Sequence, residues 1–95
     1  MITYRALDRE TVSSLVAATG LTTTKLTNGV DYATIQAVGG SVRFCLNGTT
    51  PTSSLGQVIP DTRVIEVWGY EALKNFLAIN NGGIAKLEVI YFGGI

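Results

Sequence analysis

The chain has no histidine, a single cysteine (Cys45), two prolines and one tryptophan in 95 residues. Without histidine the commonest general base and the commonest transition-metal ligand are missing. One cysteine excludes an internal disulfide. Charge is also scarce: seven basic and seven acidic residues cancel, and only 15% of the chain is charged against a usual figure of about 25%. Arg5, Arg9, Lys25, Arg43, Arg63, Lys74 and Lys86 are scattered singly. Nucleic-acid binding needs clustered positive charge to displace counterions, so it is not expected. No apolar run is long enough for a membrane span, and MITYRALDRE lacks the pattern of a signal peptide. The acids Asp8, Glu10, Asp31, Asp61, Glu66, Glu71 and Glu88 show no calcium-loop spacing, and the glycines form no phosphate loop. No nucleophile-base pair can be named. No enzymatic activity, metal or cofactor is therefore expected, and no nucleic-acid or membrane partner.

What is present is strand sequence. Tyr32–Val38 alternates, with Ala33, Ile35 and Ala37 on one face and Thr34 and Gln36 on the other. Ser41–Asn47 sets Val42, Phe44 and Leu46 against Arg43 and Cys45, and Ala85–Phe92 sets Leu87, Val89 and Tyr91 against Lys86 and Glu88. A period of two is that of a half-buried strand. Thr62–Trp68 is rich in β-branched residues, which suits a further strand. Gly39-Gly40 predicts a hairpin between its flanking strands, and Asn80-Asn81-Gly82-Gly83 a tight turn from Asn75–Ile79 into the last strand. The spacing of Tyr70, Leu73, Phe76 and Leu77 predicts one helical turn leading into a strand. In the first third, Asp8 could cap a helix ended by Gly20, but the Val, Ser and Thr content favours strands at Leu15–Ala18 and Thr22–Leu26. Six to eight short strands with frequent turns predict one all-β domain over residues 1–95, a compact antiparallel β-sandwich with a jelly-roll variant, residues 1–20 being an arm or first strand.

Cys45 lies between Phe44 and Leu46, and reads as a small buried hydrophobe rather than a reactive thiol. Asn47-Gly48-Thr49 matches a glycosylation sequon by composition alone, with no secretory signal beside it. The stretch around it reads first as a corner. Asn47 and Gly48 tolerate left-handed backbone, Pro51 fixes φ and forces Thr50 to be extended, and the hydroxyls of Thr49, Thr50, Thr52, Ser53 and Ser54 can bond to backbone groups leaving the ladder. Asn47, Gly48, Thr49, Pro51 and Thr52 are candidate binding residues if the corner also binds. Candidate interface residues are apolar side chains on polar faces or strand ends: Ile90 and Phe92, beside Lys86 and Glu88, and Trp68 and Tyr70, flanking Gly69. A weakly charged chain of mean hydropathy +0.32 is expected to self-associate.

The order V-R-F-C-L-N-G-T-T-P-T, followed by small residues to Gly56, resembles a motif of small tailed-bacteriophage virion proteins. In these a strand ending Val-Arg-aromatic leads to Asp-Gly-Thr-x-Pro-Thr, and a glycine opens the next strand. Phe76-Leu77-Ala78-Ile79 and Ala85–Phe92 take the places of the closing strands, and Tyr32–Ala37 that of the preceding one. Asn47 stands where the family usually has Asp. The resemblance spans about Leu21 to Phe92. It implies a virion structural protein made in a bacterial host's cytoplasm: a capsid decoration or cement protein at subunit junctions, with a tail or fibre-base component as the alternative. Its implied partners are its own copies, as a homo-oligomer with a trimer favoured, and capsid or tail proteins. The same corner also resembles fibronectin-like modules of secreted bacterial glycosidases, but that match stops at the hairpin. A rival reading is a carbohydrate-binding or adhesin module using exposed Trp68, Tyr70 or Tyr4.

Overall fold

The structure is a computed structural model that describes residues 3–26 and 29–94. Its elements are β1 (Tyr4–Val12), β2 (Thr19–Gly20), a 3-10 turn (Thr23–Lys25), β3 (Tyr32–Val38), β4 (Val42–Cys45), β5 (Gln57–Ile59), β6 (Val64–Trp68), α1 (Tyr70–Lys74), β7 (Leu77–Asn80) and β8 (Lys86–Gly94). They form two antiparallel four-stranded sheets, ordered β1-β8-β3-β6 and β2-β7-β4-β5. The pairs β1–β8, β2–β7, β3–β6 and β4–β5 are what a single long hairpin gives when rolled up on itself. That is the jelly-roll form of the all-β sandwich.

Alternation explains which face each strand buries. Ala33, Ile35, Ala37, Leu87, Val89 and Tyr91 point inward from the first sheet and Val42, Phe44, Ile59 and Ala78 from the second, all within the buried core. Leu15, Leu21, Leu26, Leu73 and Phe76 close its ends from the connections. The predicted helical turn is α1, which buries Leu73 just before β7.

Several sequence expectations fail. Gly39-Gly40 does not close a hairpin: β3 and β4 lie in different sheets. The expected turn at Asn80–Gly83 does lead from β7 into β8, and it too crosses between the sheets. Both are arches, and they pack together: a Cβ on Gly39 would lie 3.1 Å from the Ile84 carbonyl oxygen, and one on Gly40 3.7 Å from the Ala85 Cβ. Leu15–Ala18 is a turn and Thr22–Leu26 holds the 3-10 turn, while the first long strand is β1. Its pattern hid it. β1 is an edge strand with mostly exposed residues, and a bulge between Ala6 and Asp8 breaks its alternation. Asp8 caps no helix. Its Oδ1 accepts from the Arg9 amide at 2.7 Å and its Oδ2 from Lys25 Nζ at 3.0 Å. Finally, β8 extends through Gly94, beyond the predicted end at Phe92.

Among the described residues Ser14, at φ 62°, and Thr62 take left-handed backbone without being glycine, and only Thr62 is β-branched. Thr62 has φ of 69° where β5 passes to β6, a region costly for a β-branched residue. Its amide donates to the Ala37 carbonyl at 2.7 Å and its own carbonyl accepts from Gln36 Nε2 at 3.0 Å, which holds it there. Thr62→Asn is expected to raise stability by about 1 kcal/mol, because Asn enters this region more readily. Urea unfolding checks it, and an unchanged or lower midpoint would count against the strain.

Candidate functional site

The outer face of the β1-β8-β3-β6 sheet carries the main candidate. Tyr32 on β3 is directly opposite Trp68 on β6 and Phe92 on β8. The Tyr32 ring stacks on Trp68 with centroids 4.1 Å apart and planes 15° apart, and on Phe92 at 4.9 Å and 6°. These separations are close to the strand spacing of about 4.8 Å. The rings therefore stand side by side like plates, edges outward. Tyr4 is opposite Gly94, which has no side chain to stop its ring crossing to meet Tyr32 at 5.4 Å and Trp68 at 5.5 Å, both edge-on. Asp31 fixes the row's position. Its amide donates to the Phe92 carbonyl, its carbonyl accepts from the Gly69 amide, and its Oδ2 accepts from the Gly94 amide at 2.8 Å.

Beyond the aromatic row the face turns polar. Ile90, 40% exposed, is opposite Thr34, and Trp68 Nε1 donates to Glu66 Oε1 at 3.0 Å. Glu88 accepts from Thr11 Oγ1 at 2.6 Å and from Arg9 at 3.0 Å, with Lys86 Nζ at 3.6 Å. The Thr11 hydroxyl and the nearby cations hold its carboxyl below the usual range.

The four sheet edges differ. β1 is blunted by its bulge and by Arg5, Asp8, Arg9 and Glu10. β2 has two residues, and β5 has three before Pro60. β6 pairs without a bulge, has no Lys or Pro, and presents Val64, Glu66 and Trp68 to solvent. It is the edge with least to prevent further pairing.

The corner proves to be the tip of the rolled hairpin: β4 and β5 pair directly, and residues 46–56 join them. Pro51 is fully buried and anchors the loop, while Asn47, Gly48, Thr49 and Thr52 are exposed. Thr52 and Leu55 exchange backbone hydrogen bonds at 3.0 and 3.3 Å, and Thr52 Oγ1 accepts from the Ser54 amide at 3.2 Å. Gly56, at φ 119°, lies against the Phe44 backbone and opens β5. Strand direction places this loop, α1 and the aromatic row at the same end of the sandwich, but on different sheets.

Trp68 and Phe92 are thus brought together, and Ile90 lies one row away. Tyr70 is separate: it begins α1 beyond Gly69 and is 53% exposed. Tyr32 escaped the sequence reading because residues 32, 68 and 92 meet only through register. Cys45 is half-buried on the outer side of β4, opposite Leu77, and not in the core. Among the described residues no three His, Cys, Asp or Glu side chains are grouped to hold a metal, and no helix is long and apolar enough to cross a membrane. Compared with protein-family models, curated proteins and solved structures, the chain shows no match to any of them.

Proposed function

We propose that this chain is a non-enzymatic structural protein of a tailed-phage particle, a decoration or cement protein that binds at capsid subunit junctions and to its own copies. The observation that carries the reading is the aromatic and aliphatic outer face of Tyr4, Tyr32, Trp68, Ile90 and Phe92, beside the unblunted β6 edge, on a chain with no net charge. The Val42–Gly56 motif supports it. Jelly rolls build capsid proteins but also lectins, so the fold supports the reading by analogy alone. Binding would be passive: burial of this face against neighbouring subunits would hold the shell together.

Light scattering after size exclusion is the first test. A closed oligomer, trimeric for choice, should persist on dilution and co-sediment with assembled heads. Trp68→Ser and Ile90→Lys should each weaken association by about 2 kcal/mol, roughly thirty-fold. A monomer that ignores heads would sink the proposal.

One observation favours a second reading, a carbohydrate-binding module. Trp68 ends the stack on the edge strand and is 50% exposed, so one of its ring faces is available to a sugar. Tyr32 is sandwiched between Trp68 and Phe92, Tyr4 meets its neighbours edge-on, and Phe92, opposite Ala6 on β1, is only half-exposed. That reading predicts a monomer retained on polysaccharide and released by Trp68→Ser.

A further inference from the structure

We infer that Asn47 is a site of spontaneous deamidation, selected by the fold over the other described Asn-Gly pair, Asn81-Gly82. The nucleophile is the backbone nitrogen of the following residue, so that residue must be small and its N–H free. Gly48 meets both needs. It is exposed, has φ of 83°, and its N–H makes no hydrogen bond among the described residues. A Cβ there would find only Asn75 Oδ1, at 3.8 Å.

The electrophile is prepared as well. Asn47 Oδ1 accepts from the Thr49 amide at 3.1 Å. That bond folds the side chain back along its own backbone and withdraws electron density from Cγ. Asn47 Nδ2 has no partner among the described residues, so the leaving group faces water.

Gly48 N loses its proton to solvent base and attacks Asn47 Cγ. The Cγ–Nδ2 bond breaks, and Nδ2 leaves with a solvent proton as ammonia. Water then opens the five-membered imide at either carbonyl. One product is aspartate. The other is isoaspartate, whose backbone runs through the side chain. Either adds a negative charge at the hairpin tip of a chain whose charges otherwise cancel.

Asn81 is held differently. It is half-buried, its Oδ1 accepts from Arg43 Nε at 3.3 Å, and its Nδ2 donates to Ser41 Oγ at 3.2 Å. Its own amide donates to the Ser41 carbonyl at 3.1 Å. Attack would require these bonds to break and the leaving nitrogen to turn to solvent. Asn80 and Asn75 precede larger residues, Asn81 and the buried Phe76.

The test is peptide mapping of the folded protein after timed incubation at mildly alkaline pH. Trypsin separates the two sites, since cleavage after Arg43 and Arg63 isolates Asn47 from the peptide carrying Asn81. Mass spectrometry reads the exchange of amide for acid, and isoaspartyl methyltransferase labelling reads the rearranged product. Asn47 should react at least about tenfold faster than Asn81, the factor expected when two hydrogen bonds must break first. In urea the two sites should react at similar rates. Ser41→Ala should speed Asn81 and leave Asn47 unchanged. Equal rates in the folded protein, or an Asn47 that reacts only after unfolding, would overturn the inference.

Discussion

Gly93→Ala should lower the unfolding free energy by about 3 kcal/mol, the upper end of the usual effect of overpacking. Gly93 is buried on the inner side of β8, where residues 29–31 cross it. A Cβ there would lie 1.9 Å from the Gly29 carbonyl oxygen and 2.6 Å from Leu7 Cδ1. The leucine could turn away, but the carbonyl is backbone. The crossing segment is pinned by the Asp31 amide on the Phe92 carbonyl at 2.8 Å and by Asp31 Oδ2 on the Gly94 amide. Methyl and carbonyl can therefore coexist only if this segment lifts and loses those bonds. In a chain of this size the loss should lower Tm by roughly 15 °C. Gly83→Ala is the control: its Cβ would find only the Gly40 Cα, at 4.0 Å, and stability should change little. A Gly93→Ala protein as stable as the parent would mean that the crossing segment is not held as described. The same substitution should disturb the aromatic row, since Asp31 positions both Phe92 and Gly94.

Glu10→Ala should cost about 2–3 kcal/mol, because it strips three donors of their acceptor at once. The Glu10 carboxylate accepts from the Tyr91 hydroxyl, from Thr22 Oγ1 at 2.6 Å and from the Thr22 amide at 3.0 Å. It thereby ties β1 to β8 and to the connection after β2. Tyr91 has no exposed surface, so its hydroxyl would remain buried and unpaired. Tyr91→Phe removes that donor together with its need, and should cost less, about 1 kcal/mol.

The same pair predicts a response to alkali. Burial first, then the hydrogen bond to Glu10 and its charge, push the Tyr91 phenol well above its ordinary value of 10.0. The folded state then keeps a proton that the unfolded chain releases above pH 10. Stability from this group is complete below that point and falls as pH rises, by up to about 1.4 kcal/mol per pH unit. Urea midpoints measured from neutral pH to beyond 10 should fall less steeply in Tyr91→Phe than in the parent. Parallel curves would show that Tyr91 is not protected by the fold.

The strands that the sequence announced are those with one wet face. β3, β4 and β8 alternate because each buries every second residue against the opposite sheet. β1 lay hidden because an exposed, bulged edge strand has no such alternation to show. The candidate site was half legible. Ile90 and Phe92 could be chosen as apolar residues in polar company and Trp68 as a large aromatic at a strand end, but Tyr32 could not, because nothing local ties it to residues 68 and 92.

The amino-acid sequence alone determined the class of the fold, because inside-outside alternation with frequent turns leaves an antiparallel sandwich as the arrangement that buries the apolar faces. It also determined where the chain reverses at the 46–56 corner, since Asn, Gly and Pro act on their own backbone. Only the tertiary structure decided the topology. A Gly-Gly pair permits a hairpin or an arch equally, and Ala37 and Val42 face the core in either case. What separates the two is the strand that takes up the backbone hydrogen bonds, and β3 gives them to β6 and β8, β4 to β5 and β7. Those partners come from distant parts of the chain, so the choice belongs to the assembled sheets. The same long-range register gathers Tyr4, Tyr32, Trp68 and Phe92 into one row.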